Sequence, residues 1–344
     1  MTLILALCIG VWILGAAMGV PYRQRLAMIA ALWVVAGLAL ALLSEANGLR
    51  QIAGGDLRVW SGLSVLTALG IGYFALLQRL KARHKPSQAI VSEAKFSPEE
   101  LDRYARHIML REIGGPGQGA LKRARVLVIG AGGLGSPALL YLAAAGVGTL
   151  GIIDDDVVDA SNLQRQIIHK DQGIGLPKVQ SAMQAVAALN PFVTVLPYQR
   201  RFGPATIDLL QEFDLILDGS DNFDTRYLVN REAVRAGKPL ISGAITQWEG
   251  QLSLFDPTHG TPCYKCIFAD RPAPGMVPTC AEAGVAAPLP GVIGAMMAME
   301  AVKHITGAGK TLRGRLLIHD ALYAETRVIE IIRRADCPVC GTKA

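Results

Sequence analysis

Arg125-Val-Leu-Val-Ile-Gly-Ala-Gly-Gly-Leu-Gly135 is the stretch that decides the fold. Its first half, Val126 to Ile129, has no polar residue, as is typical of a strand buried on both faces of a parallel sheet. A G-x-G-x-x-G turn follows, in which glycines let backbone N–H groups approach a phosphate at a helix N-terminus. Asp154 ends the next apolar run, about twenty residues further on, where an acid can bond ribose hydroxyls. The pattern predicts a nucleotide site that contains Gly130, Gly132, Gly135 and Asp154.

Apolar runs and helix-like segments alternate from Arg125 onward. Strands are predicted at 125–130, 149–154, 192–197, 214–218 and 239–243, and helices at 135–146, 178–189, 205–212 and 224–236. This order predicts an α/β fold with a Rossmann-like doubly wound sheet. Later runs at Gly250–Phe255, Arg315–His319 and Arg327–Ile331 predict added antiparallel strands, and Gly291–Thr306 predicts one more helix.

The N-terminal quarter of the chain has a different composition. Thr2–Val20, Leu26–Leu43 and Val59–Leu77 carry no charge, and each is close to the ~20 residues with which a helix spans a hydrocarbon core. Buried core helices are one alternative; a signal peptide is another for the first run, although its usual basic start is missing. The pattern predicts an anchor of about three transmembrane helices over residues 1–85, a linker over 86–95 and an enzyme domain over 96–344.

Charges beside the apolar runs predict the orientation of this anchor. The net charge is +6, and basic residues stand in the first short loop, at Arg23 and Arg25, and after the third run, in Arg79–Lys85. Basic flanks stay on the cytoplasmic side of a membrane. We therefore expect a bacterial inner-membrane protein with a cytoplasmic catalytic domain, and a membrane surface rather than nucleic acid as the partner of the basic residues.

Three polar segments follow the predicted strands. Ser161-Asn-Leu-Gln-Arg-Gln166 comes after Asp154, and Lys178 opens a predicted helix. Asp221-Asn222 lies just beyond the strand that ends at Asp218. Ligands of open α/β sheets bind outside the carboxyl ends of the strands, so these segments are expected around one crevice. Their cations and extra acid suit a triphosphate with Mg²⁺, whereas an NAD-dependent oxidoreductase, the alternative, needs only the glycine loop and Asp154.

Two C-x-x-C pairs use four of the six cysteines. They are Cys263-Tyr-Lys-Cys266 and Cys337-Pro-Val-Cys340. Four thiolates in two such pairs predict a structural tetrahedral Zn²⁺ site, with redox pairs or free thiols as the alternatives. Cys280 stands apart in a segment rich in proline and glycine, where it is either an ordinary thiol or a nucleophile.

Several of these segments together resemble a known family, the ThiF/MoeB/HesA adenylyltransferases, which are bacterial relatives of ubiquitin-activating enzymes. The resemblance covers about Phe96–Gly341 and is nearest to the molybdopterin-synthase adenylyltransferase (MoeB) branch. The segment to about Lys85 has no counterpart in the soluble forms of the family. The matching motifs are Asn162-Leu-Gln-Arg-Gln166, Gly175-Leu-Pro-Lys178, Asp218-Gly-Ser-Asp-Asn222, Glu249-Gly-Gln251 and Thr279-Cys-Ala-Glu-Ala-Gly284.

The resemblance implies an E1-like fold and a reaction. In that reaction, the C-terminal glycine carboxylate of a ubiquitin-like sulfur carrier attacks the α-phosphorus of ATP and pyrophosphate leaves. Such a step needs positioning and charge neutralisation but no base. The carrier, which ends in Gly-Gly, is expected to be MoaD-like, for molybdenum cofactor biosynthesis, or ThiS-like. The implied ATP-site residues are Gly133, Asp154, Ser161, Asn162, Leu163, Gln164, Arg165, Lys178, Asp221 and Asn222.

Individual roles also follow from the resemblance. Asp154 would hold the ribose, Asp221 would bind Mg²⁺, and the family carries Zn²⁺ on its paired cysteines. Arg106 matches an arginine that reaches the ATP site of the other subunit, which implies a homodimer. Cys280 matches a cysteine that forms a covalent link to the carrier in some relatives. The implied catalytic residues are Arg106, Arg165, Lys178, Asp221 and Cys280.

Overall fold

In a computed structural model of the protein, the described residues are 2–44, 46–48, 50, 56–83, 95–273 and 283–341. The chain divides into two compact units, Met1–Val91 and Ser92–Ala344. Cys280, the predicted nucleophile, lies outside the described residues.

The first unit contains three long helices, α1 (Thr2–Ala17), α2 (Tyr22–Leu42) and α3 (Leu57–Arg83). Among the described residues, one helical segment, Gln24–Leu42, is long and apolar enough to cross a membrane. The expected count of about three transmembrane helices is therefore not confirmed. One reason is that α1 has 16 residues, which at 1.5 Å per residue span about 24 Å, less than a hydrocarbon core of about 30 Å. Another is that polar residues such as Ser61 and Ser64 interrupt the apolar sequence of α3.

The second unit alternates helices and strands, as predicted. Its helices are α4 (Pro98–Ile108), α5 (Gly114–Arg123), α6 (Gly135–Ala145), α7 (Lys178–Leu189), α8 (Phe223–Ala236) and α9 (Pro288–Thr306), with a single turn at Tyr264–Ile267. Its strands are β1 (Arg125–Ile129), β2 (Thr149–Ile153), β3 (Thr194–Tyr198), β4 (Leu215–Asp218), β5 (Leu240–Ile245), β6 (Glu249–Phe255), β7 (Arg315–Asp320) and β8 (Glu325–Glu330).

In the described part of this unit, eight strands form one sheet in the order β3-β2-β1-β4-β5-β6-β7-β8. The strands from β3 to β5 are parallel, and β6, β7 and β8 are antiparallel additions. This confirms the predicted mixed α/β architecture. Ile129 pairs with Ile153 on one side and with Asp218 on the other. The carboxyl ends of β1, β2 and β4 therefore meet where the strand order reverses, which is where such sheets bind ligands.

Helices cover both faces of the sheet. On one face, α6, α7 and α9 bury Leu139, Val186 and Met297 completely. On the other face, α8 and a 3₁₀ segment at Pro204–Glu212 enclose Phe213 and Val229. Because both faces are covered, the parallel strands carry the unbroken apolar runs from which they were predicted.

Three elements differ from the sequence prediction. The expected helix at 205–212 is a 3₁₀ helix, and α9 begins at Pro288 rather than at Gly291. Helix α5 is not predicted, because its glycine-rich start lowers the local helix propensity by about 1 kcal/mol per glycine. Packing stabilises it instead, since a Cβ added to Gly117 would lie only 2.9 Å from Ile113 and 3.4 Å from Thr306.

Candidate active site

The glycine loop, Gly130–Gly135, joins β1 to α6 at the carboxyl edge of the sheet. Gly130 has φ +92°, in the left-handed region that favours glycine. A Cβ added to Gly135 would lie 1.9 Å from the carbonyl oxygen of Gly130, so glycine is required for α6 to start directly against the strand. In the first helical turn, Pro137 has no N–H group, and those of Ser136 and Ala138 donate to the carbonyl oxygens of Gly132 and Leu134. The N–H groups of the glycine loop itself are therefore the candidates to bind phosphate oxygens at this helix N-terminus.

Asp154 follows β2 beside the glycine loop. Its Oδ2 accepts the N–H of Ala131 at 2.8 Å, and its Oδ1 accepts the N–H of Asp156 at 2.9 Å. Burial raises the pKa of Asp154 above its usual value, although both N–H donors and the nearby Lys178 act in the opposite direction. These bonds fix the carboxylate at the end of the strand, where it can meet a ribose.

The segment after β2 brings Arg165 to the glycine loop. Its guanidinium donates to Oδ1 of Asn162 at 2.7 Å and to the carbonyl oxygen of Ser161 at 3.4 Å. A Cβ added to Gly133 would lie 3.8 Å from Cγ of Arg165 and 3.1 Å from Cβ of Pro290. The arginine stem and the first turn of α9 therefore flank the loop on which phosphates are expected.

Lys178 opens α7 and is 4% exposed. Its Nζ donates to Oδ2 of Asp156 at 2.7 Å, and its backbone N–H donates to the carbonyl oxygen of Asp156 at 3.0 Å. A buried ammonium group requires a counter-charge, which Asp156 supplies. Since Asp156 is itself bonded to Asp154, the ammonium group is held on the same side of the crevice as the candidate ribose ligand.

Asp221 and Asn222 follow β4, the strand next to β1. Asp221 is exposed, and Asn222 caps α8 by accepting the N–H of Thr225 at 2.9 Å. The loop before them touches the glycine loop, because a Cβ added to Gly130 would lie 3.2 Å from the carbonyl oxygen of Gly219. An exposed carboxylate is thus available beside the glycine loop.

Arg226, which no sequence motif indicates, holds the loop that precedes Asp221 through hydrogen bonds. It is 6% exposed and donates to the carbonyl oxygens of Gly243, at 2.7 Å, and of Ser220. Its guanidinium also lies 3.7 Å from Oδ2 of Asp218. The arginine therefore ties the end of β4 to β5. A single arginine in a predicted helix carries no signal of such a role.

His169 is the second buried residue that sequence reasoning misses. Its Nε2 lies 2.9 Å from the carbonyl oxygen of Ala131, and its Nδ1 lies 3.0 Å from Oγ of Ser181. Burial lowers the pKa of His169 below its usual value. Its partner in the glycine loop is 38 residues away, so no local pattern indicates the contact.

Most of the predicted ATP-site residues lie around this crevice, and Arg106 does not. Arg106 is exposed on α4, whose Tyr104 packs at the C-terminal end of α6, 2.5 Å from where a Cβ on Gly146 would lie. Helix α6 has 11 residues, about 16 Å, and the glycine loop is at its other end. The contacts described above place these residues at the crevice: Gly130, Gly133, Gly135, Asp154, Ser161, Asn162, Arg165, Lys178, Asp221 and Asn222. Gly132 lies within the glycine loop, and Leu163 and Gln164 lie in the segment that carries Arg165.

The four paired cysteines converge, as predicted. Sγ of Cys263 lies 4.0 Å from that of Cys266 and 3.7 Å from that of Cys337, and Cys266 lies 3.4 Å from Cys340. All four are buried. Bonds of about 2.3 Å in a Zn–thiolate tetrahedron correspond to sulfur separations of about 3.8 Å. Because burial raises the pKa of the Cys263 thiol, a set of thiolates at this place needs a cation.

One face of α8 connects the cysteine cluster to the crevice. Asn222, Arg226 and Asn230 stand four residues apart, so their side chains lie on one side of the helix. Asn230 is buried, donates to Sγ of Cys263 at 3.7 Å and accepts the N–H of Tyr264 at 2.9 Å. This line of side chains, the α8 polar face, runs from the cap beside Asp221 to the first cysteine pair.

The comparison with protein families gives a match to the ThiF family over residues 104–339. The chain belongs to the ThiF family. The match begins within α4 and ends between the last two cysteines, so it includes the whole crevice and nearly all of the cysteine cluster.

Relatives align with the same part of the chain. The sulfur carrier protein adenylyltransferase of Thermus thermophilus is 50% identical over 252 residues, which are 72% of this chain and 93% of that protein. The SAMP-activating enzyme E1 of Haloferax volcanii is 47% identical over 243 residues, 70% of this chain and 89% of that protein. The probable adenylyltransferase/sulfurtransferase MoeZ of Mycobacterium tuberculosis is 52% identical over 247 residues, 71% of this chain and 63% of that protein.

Solved structures show the same fold. The Escherichia coli MccB structure with ATP has a TM-score of 0.62 and 22% sequence identity, and the match covers 70% of this chain and 75% of that chain. The MccB structure with MccA-N7isoASN has a TM-score of 0.63 at 23% identity, over 70% and 75% of the two chains. The second unit therefore has the E1-like fold that the sequence predicted.

Proposed function

We propose that the chain catalyses the ATP-dependent adenylylation of the C-terminal glycine carboxylate of a ubiquitin-like sulfur carrier protein. The carboxylate oxygen forms a bond to the α-phosphorus. The bond between the α-phosphorus and the oxygen that bridges it to the β-phosphorus breaks, and pyrophosphate leaves with the electron pair of that bond. No proton moves, because the nucleophile is already ionised. The observation that carries this proposal is the pairing of a glycine loop with Arg165, Lys178 and Asp221 around one crevice.

These charges suit the demands of the reaction. Charge on the phosphates grows as pyrophosphate leaves, and fixed cations stabilise it without reorganising. Arg165 and Lys178 flank the glycine loop and are oriented by Asn162 and Asp156. Asp154, held by two backbone N–H groups, would bind the ribose.

Mg²⁺ fits this site at Asp221. The carboxylate is exposed beside the phosphate-binding loop, and Mg²⁺ is usually held by one or two carboxylates together with phosphates and water. When bound, the ion would neutralise phosphate charge. The chain would position Asp221 for the ion through the loop before it, which Arg226 holds by hydrogen bonds to the carbonyl oxygens of Ser220 and Gly243.

Zn²⁺ fits the four cysteines, where it would have a structural role. The sulfur separations match a tetrahedral site, and Asn230 donates to one sulfur. The cluster is buried, so no position is open to a substrate.

The carrier we propose is MoaD-like, in molybdenum cofactor biosynthesis, and a ThiS-like carrier is the alternative. Support comes from the names of the relatives, which include a sulfur carrier protein adenylyltransferase and a SAMP-activating enzyme. An NAD-dependent oxidoreductase has weaker support, because the relatives named above are adenylyltransferases or activating enzymes. Cys280 as a covalent nucleophile stays a prediction.

We also propose a homodimer in which Arg106 of each subunit completes the ATP site of the other. In support, α4 lies at the end of α6 that is remote from the glycine loop, so the arginine is far from the site of its own chain.

The N-terminal unit is proposed to anchor the enzyme to a bacterial inner membrane, with the catalytic domain in the cytoplasm. Supporting features are the apolar segment Gln24–Leu42 and the exposed apolar side chains of α1 and α2, such as Leu14 and Val35. The basic sequence Arg79–Lys85 favours a cytoplasmic position for the catalytic domain.

Carrier-dependent ATP–pyrophosphate exchange tests the function. Asp221→Ala should abolish exchange, because the phosphates lose their Mg²⁺ ligand. Asp224→Ala is the matched control, since Asp224 is an exposed acid in the first turn of α8 that pairs with Arg271. Exchange at the wild-type rate in the Asp221 variant would refute the assigned site, and exchange that needs no carrier would refute the substrate.

A further inference from the structure

A ring of five hydrogen bonds, closed by one turn of α7, lies beside the proposed ATP site. The N–H of Ala131 donates to Asp154, and the carbonyl oxygen of Ala131 lies 2.9 Å from Nε2 of His169. Nδ1 of His169 lies 3.0 Å from Oγ of Ser181, which stands on α7 one turn after Lys178. The ring consists of Asp154, Ala131, His169, Ser181, Lys178 and Asp156.

The ring closes through the lysine. Nζ of Lys178 donates to Oδ2 of Asp156, and the N–H of Asp156 donates back to Asp154. Two candidate ligands of ATP, the ribose acid Asp154 and the phosphate cation Lys178, therefore belong to one set of mutual contacts. The glycine loop belongs to it too, through Ala131.

The partners of His169 decide which nitrogen of the neutral imidazole carries the hydrogen. A carbonyl oxygen can only accept, so Nε2 must carry the hydrogen that it donates to Ala131. In a neutral imidazole Nδ1 is then an acceptor, and the hydroxyl of Ser181 donates to it. Because burial lowers the pKa of His169 and so disfavours a second proton, the imidazole has a single hydrogen arrangement in its neutral form, with the hydrogen on Nε2.

Burial makes His169 hard to replace. Its exposure is 5%, that of Ser181 is 8% and that of Ala131 is 0%. If the imidazole is removed, the carbonyl oxygen of Ala131 keeps only the longer hydrogen bond from the Ser136 hydroxyl, at 3.4 Å. Water has little access to this oxygen, so the loss of the shorter bond is costly. In this ring His169 is the link between the glycine loop and α7.

We propose that His169 is a positioning residue for nucleotide binding. It fixes the Ala131 peptide, and hence the direction of the neighbouring glycine N–H groups, relative to the helix that carries Lys178. The inference rests on the proposed function only for the identity of the ligand, ATP. His169 itself does not contact the nucleotide.

Two substitutions of His169 with side chains of similar length separate the effect of the hydrogen bond from that of packing. His169→Gln keeps an N–H donor near Nε2, whereas His169→Met fills similar space without a donor. His319→Met is the control, because His319 is a half-buried histidine on β7, away from the glycine loop, that bonds Thr326. The measurement is the Kd of MgATP for the full-length chain by calorimetry, with the thermal unfolding midpoint of each variant.

We expect His169→Met to raise the Kd about tenfold, the scale of one net buried hydrogen bond. His169→Gln should stay within about threefold of wild type, and His319→Met should not differ. Should His169→Met fail to fold, Ser181→Ala, which removes one hydroxyl, should still raise the Kd. Long-range ¹H–¹⁵N spectra should show His169 protonated at Nε2 and not at Nδ1.

Equal Kd values for the Met and Gln variants, or an imidazole of His169 protonated at Nδ1, would overturn the inference. A wild-type chain that does not bind MgATP would instead contradict the proposed function. The two failures are therefore distinguishable, because the first compares variants with each other and the second concerns the wild-type protein alone.

Discussion

Arg165 is a side chain whose positive charge is expected to accelerate the reaction directly. Arg165→Ala should slow carrier-dependent pyrophosphate exchange by about tenfold to a thousandfold, because one preorganised cation is lost where charge develops. Arg231→Ala is the control, since Arg231 is half exposed on α8 and pairs with Glu232. Equal rates for the two variants would show that Arg165 does not touch the phosphates.

His169 should also leave a signature in the pH dependence of stability. Burial lowers the pKa of His169 in the folded state, and Lys178 acts in the same direction, whereas the hydrogen bond to the Ala131 carbonyl oxygen and the charge of Asp154 oppose the shift. The unfolded chain then binds the proton first, so this stability is complete above about pH 6.5 and is lost as the pH falls towards the folded pKa.

The measurement compares wild type with His169→Gln, which has no titrating ring. The difference in the free energy of unfolding should shrink between about pH 7.5 and about pH 5.5. His304, whose pKa burial also lowers, is present in both proteins, so its effect cancels. A difference that does not change with pH would contradict the assigned burial of His169.

Among the larger elements, the cysteine cluster should bind one Zn²⁺ per chain and hold the C-terminal segment to the turn at Tyr264–Ile267. Cys337→Ser should lose the metal and lower the thermal midpoint, because metal binding contributes folding free energy. Cys8→Ser, in α1, is the control. Metal analysis of protein purified without chelator provides the measurement, and protein free of zinc would rule the site out.

The elements of the second unit were largely predictable, and the exceptions have physical causes. The strands β1, β2 and β4 are apolar because both faces of the sheet are covered, so their sequences alone indicate them. Helix α5 could not be predicted because its glycines lower the local helix propensity. Its stability comes from contacts such as that between Gly117 and Thr306, which only the folded chain contains.

The candidate site shows the same division. Gly130, Asp154 and Lys178 stand at strand or helix ends, where position alone suggests a ligand. His169 and Arg226 act through backbone carbonyl oxygens of other segments, at Ala131 and Gly243. Because any residue offers such an oxygen, sequence reasoning could not find these contacts.

For the molecule as a whole, a shared ATP site predicts complementation between inactive subunits. Arg106→Ala and Asp221→Ala should each abolish exchange as homodimers. After the two proteins are mixed and allowed to exchange subunits, each mixed dimer has one intact site, so about a quarter of wild-type activity should return. Arg111→Ala, a highly exposed arginine nearby, is the control. A mixture that stays inactive would refute the contribution of Arg106 across the interface.

The anchor predicts where the full-length protein is found. It should sediment with the inner membrane, and protease added to sealed right-side-out vesicles should leave the catalytic domain intact. A chain that begins near Lys95 should remain in the soluble fraction, because it lacks the apolar helices of the first unit. Full-length protein free in the cytosol, or a catalytic domain cut from the periplasmic side, would contradict this topology.

The α8 polar face implies that the length of this helix fixes the distance between the crevice and the cysteine cluster. Asn222 and Asn230 are eight residues apart, which is about 12 Å along the axis. One residue inserted between them would rotate Asn230 by about 100° about the helix axis, away from Cys263. The insertion of a single residue anywhere between Asn222 and Asn230 should therefore be tolerated poorly. A whole added turn would approximately keep the direction of Asn230 and would increase the distance between Asn222 and Asn230 by about 5.4 Å.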